Sequence, residues 1–330
     1  MNNDSPFDFI GIGDTVMDAF IKLEVGHTQE TASGAELCVP YGAKIPYESV
    51  TVVPAVGNSA NAVVSAARLG VKSALVSFLG EDNNGKECLA RFEKEGVGTQ
   101  FITQEAGKKT NYHYVLWYKD DRTILVKHDA FKAVLPDIGN PKWVYFSSIG
   151  PHAKNIHFEL VDYIESHPDI NIAFQPGTFQ LTLKNEIANL YKKVSVLCVN
   201  KEEAEFLTEI DGSDIKKLLD KLEAFGPKTV IITDGARGAF MKYENTYFNM
   251  PIYPDIAPPY DRTGAGDAFF STFVSYLAKG YDAPYAIKRA PINSMNVVQY
   301  VGAQEGLLSE ETIEDYLKKA PDSYKLTILE

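Results

Sequence analysis

The stretch "GNSANAVVSAARLGVKSALVSFLG", Gly57 to Gly80, decides the fold. Its first half is rich in alanine and closes on Gly70, as a helix with a glycine stop does. Its second half, "SALVSFLG", is a short apolar run that reads as a strand. The following "GKECLARFEKEG", ending at Gly96, has the pattern of an amphipathic helix with another glycine stop. Upstream, "FDFIGIG" (Phe7 to Gly13) reads as a buried strand. This strand–helix–strand–helix rhythm implies a parallel sheet covered by helices.

The rhythm breaks in two places. "TNYHYVLWYKDDRTILVKH", Thr110 to His128, holds two β-rich runs around "KDD" and predicts an antiparallel hairpin. The segment from Asp18 to Pro54 also reads as strands and loops. Insertions around 18–54 and 109–130 are expected to form one small sheet apart from the main one, as a lid does. An ordinary edge hairpin fits the same pattern. From Trp143 the rhythm resumes with "WVYFSS", "INIAFQPG", "VSVLCVN" and "KTVIITDG". Ligands of open α/β sheets gather beyond the carboxyl ends of the strands, which puts Asn200 and Thr233 to Gly235 on the ligand edge. No linker rich in Pro, Gly or Ser divides the chain, so one domain over 1–330 is expected. "SEETIEDYLKKAPDSYKLTILE" reads as a closing helix with a short tail.

Bulk properties exclude some partners. The 330 residues are 45% hydrophobic and 23% charged, with a formal net charge of −12. No basic excess exists to displace counterions, which argues against nonspecific binding to nucleic acid or an anionic membrane. No run approaches the ~18 apolar residues that a membrane span needs. Cys38, Cys88 and Cys198 are scattered and lack CxxC spacing, so free thiols in a reducing cytoplasm are expected. The opening "MNNDSPFDFIGIGD" has no signal-peptide pattern, in keeping with that location.

The chemistry concentrates in "DRTGAGD", Asp261 to Asp267, which opens a helix-like run. A helix start carries unpaired N–H groups and the positive end of the helix dipole. Gly264, Ala265 and Gly266 offer little bulk there, so an anion can approach closely. Asp267 sits where it can hold or deprotonate a hydroxyl, and the helix end is expected to lower its pKa. Phosphoryl transfer, whose loose transition state needs positioning and charge stabilisation, suits this arrangement. A plain glycine turn with an acidic first residue is the alternative.

Other stretches carry weaker signals. "GEDNNGKE" (Gly80 to Glu87) begins like a P-loop but has Glu87 where Ser or Thr must bind magnesium, so it reads as a loop entering a helix. Asn200 and Glu203 in "CVNKEEAEFL" fit either magnesium and phosphate binding or a helix capping box. The six histidines form no metal motif.

Taken together, "VGNSANAVVSAARLG", "NKEE", "ITDGARGA" and "DRTGAGDAF" resemble the signatures of the ribokinase-like (PfkB) family of carbohydrate and nucleoside kinases, in order along nearly the whole chain. The resemblance implies a three-layer α/β/α fold with a mainly parallel central sheet and a small β-sheet lid. It implies an ATP-dependent kinase that phosphorylates a hydroxymethyl group of a small sugar; a nucleoside kinase of adenosine, cytidine or inosine type is the alternative, followed by a non-catalytic ligand-binding module. By resemblance, Asp267 is the catalytic base, and Gly264, Ala265 and Gly266 form the anion hole. Asp18, Gly57, Asn58 and Asn61 would bind the acceptor. Asn200 and Glu203 would organise magnesium and phosphate, with Thr233 and Gly235 beside the nucleotide. Asp261 and Thr263, with carbonyls near Gly302, would hold potassium. A homodimer through the lid is also implied. Two departures stand out: Val56-Gly57 replaces the glycine pair of many sugar kinases, and Gln175 in "FQPG" replaces an acid.

Overall fold

A computed structural model describes residues 5–32, 34–119 and 121–329. The first four residues of the N-terminal stretch, Ser33 and Asp120 of the two β-rich insertions, and Glu330 lie outside the described residues. In chain order the strands are β1 (Phe9–Ile12), β2 (Val16–Leu23), β3 (His27–Thr31), β4 (Gly34–Cys38), β5 (Tyr47–Val56), β6 (Ser73–Gly80), β7 (Ile102–Glu105) and β8 (Asn111–Tyr118). They continue with β9 (Asp121–Leu125), β10 (Trp143–Phe146), β11 (Asn171–Phe174), β12 (Val194–Asn200), β13 (Thr229–Thr233), β14 (Ala239–Tyr243), β15 (Thr246–Met250) and β16 (Thr327–Ile328).

The main sheet runs β16-β15-β14-β13-β12-β11-β10-β1-β6-β7. From β7 to β13 every pairing is parallel; beyond β13 the pairings are antiparallel. The parallel strands are buried on both faces, which is why they read as continuous apolar runs. In β10, Trp143 and Tyr145 pack into one core cluster while Val144 and Phe146 pack into the other, as the two-residue period of a strand requires. The first cluster lies under helices Asn58–Arg68, Ala265–Ala278 and Ala290–Val297. The second lies under helices Ile156–Ser166, Lys201–Thr208 and Ile215–Glu223. These are the three layers expected from the sequence.

The antiparallel extension was not predicted. Glu244 and Asn245 both have positive φ, 47° and 61°, and form the two-residue turn between β14 and β15. Such turns favour Asn-Gly, and this pair does not advertise itself. The C-terminal tail adds β16 to that edge through Phe248↔Ile328 and Asn249↔Thr327.

The two β-rich insertions do meet in a separate four-stranded sheet, ordered β5-β2-β8-β9. β2 pairs antiparallel with β5 and parallel with β8, while β8 and β9 form the expected hairpin. Among the described residues, β3 and β4 pair only with each other. The P-loop-like stretch is a loop entering helix Asn83–Lys94: the Asp82 carboxylate accepts from Gly85 N at 3.0 Å.

Candidate active site

The helix Ala265–Ala278 is buried almost all round, so its start is carried deep into the molecule. Gly264 caps it with φ 80°, a left-handed conformation; a Cβ there would lie 2.3 Å from the Ala303 Cβ. Both facts demand glycine. Gly266 differs, because a Cβ there would meet only Gln175 Nε2, at 3.7 Å. Glycine costs about 1 kcal/mol in a helix relative to alanine. Outside its own helix no other neighbour crowds the position, which opens on the cavities described below. The first-turn N–H groups have no acceptor within the helix.

Asp267 is 6% exposed. Its Oδ1 accepts from Asn58 Nδ2 at 2.7 Å and Gln175 Nε2 at 3.2 Å, and its Oδ2 accepts from Asn61 Nδ2 at 2.8 Å. Asn58 and Asn61 reach it together because residues three apart share one face of a helix. Gln304 Nε2 donates to Asn61 Oδ1 at 3.1 Å and so turns the Asn61 amide N–H toward Asp267. Gln175 is oriented by the Tyr145 hydroxyl, which donates to Oε1. An acid at position 175 would repel Asp267; the amide donates to it. Burial pushes the Asp267 pKa up, and the three amide donors pull it partly back. This reverses the lowering expected from the helix end, because desolvation outweighs the dipole here. The carboxylate is consequently a stronger base.

Two cavities meet at this helix start. One, of about 830 Å³, is lined by Asp18, Gly57, Asn58, Asn61, Asp267 and the turn 263–266. The other, of about 300 Å³, is lined by Thr233 and Gly235 at the end of β13, by the apolar Ile252, Met295 and Val298, and by Ala265 and Gly266. Ala265 and Gly266 thus face both, as does Arg262.

The remaining predicted positions are less direct. Asn200 and Glu203 form the capping box: Glu203 N donates to Asn200 Oδ1 and Asn200 N to Glu203 Oε2, each at 2.8 Å. Neither lines the two cavities. Glu203 nevertheless feels the Asp267 charge, which adds to the upward push of burial on its pKa. Asp261, 8% exposed, knits the glycine turn to the 302 region. Its Oδ1 accepts from Thr263 N at 2.9 Å and Thr263 Oγ1 at 2.6 Å, and its Oδ2 from Gly302 N at 2.9 Å.

Beyond Asp18, the sequence offered no sign of the polar groups that line the larger cavity around it. Asp14, after β1, accepts from Gly150 N at 2.8 Å and lies 3.4 Å from His128 Nδ1 and 3.7 Å from His152 Nε2. His113 Nδ1, on β8, stands 3.5 Å from Asp18 Oδ1. Burial raises both aspartates to about 7, with Asp261 adding to the push on Asp18. Burial lowers all three histidines, His113 to about 4. These five residues converge from four distant segments, and apart from Asp18 no local motif could announce them. Among the described residues no group of three or more His, Cys, Asp or Glu side chains could hold a metal ion.

The pattern of the pfkB family carbohydrate kinases matches residues 26–310. The chain belongs to that family. It is a phosphotransferase with an alcohol group as acceptor. It is 27% identical over 278 residues to the ATP-dependent 6-phosphofructokinase of Thermoanaerobacterium thermosaccharolyticum, covering 78% of this chain and 83% of that protein. It is 26% identical over 300 residues to the ribokinase of Haemophilus influenzae, covering 86% and 95%. The nucleoside kinase of Methanocaldococcus jannaschii superposes with a TM-score of 0.79 at 21% identity, over 96% of this chain and 99% of that one. Within this PfkB kinase, no helix among the described residues is long and apolar enough to cross a membrane.

Proposed function

We propose that the chain is a single kinase domain over 1–330 that transfers the γ-phosphoryl group of ATP to a hydroxymethyl group of a small sugar. One observation carries this reading: Ala265 and Gly266 face both cavities, so a phosphoryl group crossing between donor and acceptor passes over the N–H groups of one helix start. The nucleotide lies in the smaller cavity against Thr233 and Gly235. The acceptor lies in the larger one, with Asp18, Gly57, Asn58 and Asn61 around it. Asp267 takes the proton of the acceptor hydroxyl as that oxygen bonds to phosphorus. The bond from the γ-phosphorus to the bridging oxygen breaks, and ADP leaves. Charge growing on the transferred group meets the N–H groups of Gly264, Ala265 and Gly266.

Magnesium would neutralise triphosphate charge when bound. The carboxylate of Glu203 and the amide of Asn200 suit a hydrated hard cation, and both keep polar capacity beyond the capping box. We place a potassium ion at the seam between the glycine turn and Gly302, balanced by Asp261 and beside Thr263. The small sheet acts as a lid that excludes water. Its exposed apolar residues, including Val50 and Val52 on β5 and Leu125 on β9, support a homodimer through that sheet. The three free cysteines accord with a cytoplasmic location.

A nucleoside acceptor is the second reading, favoured by the size of the larger cavity. A panel of sugars and nucleosides in a coupled ADP assay decides between them. Turnover of sugars alone is the expected result; turnover of nucleosides alone reverses the order, and no ADP release with any acceptor rejects the kinase.

A further inference from the structure

We propose that Asp14, His128 and His152, together with His113 on Asp18, form a wall that selects an uncharged, hydroxyl-rich acceptor and rejects one that already carries a phosphate ester. This rests on the kinase reading above and narrows its substrate class.

The first support is the charge around the larger cavity. Among the described residues that line it, Arg262 is the one Lys or Arg. Arg262 also lines the nucleotide cavity and adjoins the glycine turn, so it belongs to the end where phosphoryl transfer occurs. The same cavity also presents Asp14 and Asp18, both largely buried. A phosphate ester placed beside them would face two carboxylates and no resident cation. Lys108 is near enough to affect His152 but does not line the cavity.

The second support is hydrogen bonding. Asp18 Oδ1, His113 Nε2 and His152 Nε2 are buried and make no hydrogen bond within the protein, the nearest approaches being Asp18 Oδ1 to His113 Nδ1 at 3.5 Å and His152 Nε2 to Asp14 Oδ1 at 3.7 Å. A buried polar atom left unpaired keeps its desolvation cost without the compensation of a hydrogen bond. Three in one neighbourhood call for partners from outside the chain. Hydroxyl groups, which both donate and accept, can satisfy carboxylates and neutral imidazoles together. The histidines are held neutral by burial, so they offer hydrogen bonds rather than positive charge. The rings also brace one another: His113 and His128 meet edge to face at 5.4 Å, and His128 and His152 lie 6.5 Å apart. The related 6-phosphofructokinase is named for a phosphorylated sugar, so family membership alone leaves this choice open.

The test pairs each of several ketohexoses, which carry two hydroxymethyl groups, with its 6-monophosphate, so that one hydroxymethyl group stays free in both members of a pair. ADP release is measured for wild type and for His128→Arg, which adds a cation to the wall. The expected result is kcat/KM at least about a hundredfold higher for the free sugars in wild type, with that ratio reduced about tenfold or more in the variant. Thermal melts check folding, and His113→Lys serves if His128→Arg does not fold. Equal or better use of the phosphorylated members overturns the proposal and leaves the kinase intact. An unchanged ratio in a folded variant removes the histidines from the selection. If no pair releases ADP, the kinase reading fails, and calorimetric binding of the same pairs decides the wall. Tighter binding of the free sugar supports it; tighter binding of the ester, equal binding, or none overturns it.

Discussion

On the proposed reading, two groups of residues lining the larger cavity recognise their ligands by different means. At the proposed transfer end, the work falls to main-chain N–H groups of one helix turn, and Gly264 is fixed by its φ of 80° and by the approach of Ala303. At the acceptor end it falls to side chains from positions 14, 18, 113, 128 and 152, and several of their polar atoms make no hydrogen bond within the protein. The proposed anion hole at the first end is main chain and asks only for small side chains, with the base Asp267 beside it. The second is incomplete and depends wholly on side-chain identity. A fold can therefore keep one chemistry at the first end while the second changes substrate.

The largest effect belongs to the transfer end. Asp267→Asn keeps the size of the side chain and removes the base. Turnover is expected to fall about 10³-fold or more, while ATP binding measured by calorimetry persists. Activity within threefold of wild type would end the assignment. Gly264→Ala comes next. It forces a left-handed alanine against Ala303, and we expect about a hundredfold loss of turnover together with a lower midpoint in urea. If only stability fell, the turn would be a structural cap and not an anion hole.

That contrast also explains what the sequence disclosed. The helix Asn58–Arg68, the parallel strands and the glycine turn are encoded by neighbours in the chain, through periodicity, stops and small residues. The small sheet was legible as two β-rich runs. By contrast, β14 and β15 turn on Glu244-Asn245, a pair without glycine, and so escaped notice. The histidine wall assembles only because β8, the short 3-10 helix Pro151–Ala153 and the segment after β9 converge. The Asn58 and Asn61 grip on Asp267 spans more than 200 positions, and the capping alternative for Asn200 and Glu203 could be recognised but not resolved against the other. The pKa of Asp267 was misjudged because the helix dipole is visible in sequence and burial is not.

A smaller effect separates the two ends by pH. Asp18 titrates at about 7 through burial and the nearby Asp261 charge. As a carboxylate it accepts hydrogen bonds from acceptor hydroxyls; protonated, it loses part of that capacity. Lowering pH from about 8 to about 6 should reduce kcat/KM for the acceptor about tenfold, while the KM for ATP changes little. Asp14 titrates in the same range, and His113 does so near 4, so the profile has one acidic limb. Equal losses for ATP and acceptor would mean that the proton acts at the transfer end instead.

The smallest effect is on stability, and its sign follows from the same burial. Asp14 has a pKa of about 7 in the folded chain against an ordinary 3.8. The folded state therefore holds this proton more tightly than the unfolded state. Its favourable contribution is complete below about pH 4 and disappears as pH rises to about 7. Above that, an ionised carboxylate sits in the wall for the sake of the ligand. Asp14→Asn can still accept from Gly150 N and carries no charge. Its midpoint should exceed that of wild type by about 2 °C or more at pH 8, with the difference closing toward pH 4. Acceptor KM should rise at the same time, since the residue belongs to the wall. A midpoint difference that stays constant between pH 4 and 8 would show that Asp14 is not strained by burial. The contrast between a main-chain transfer end and an unfinished acceptor end would then lose its energetic basis.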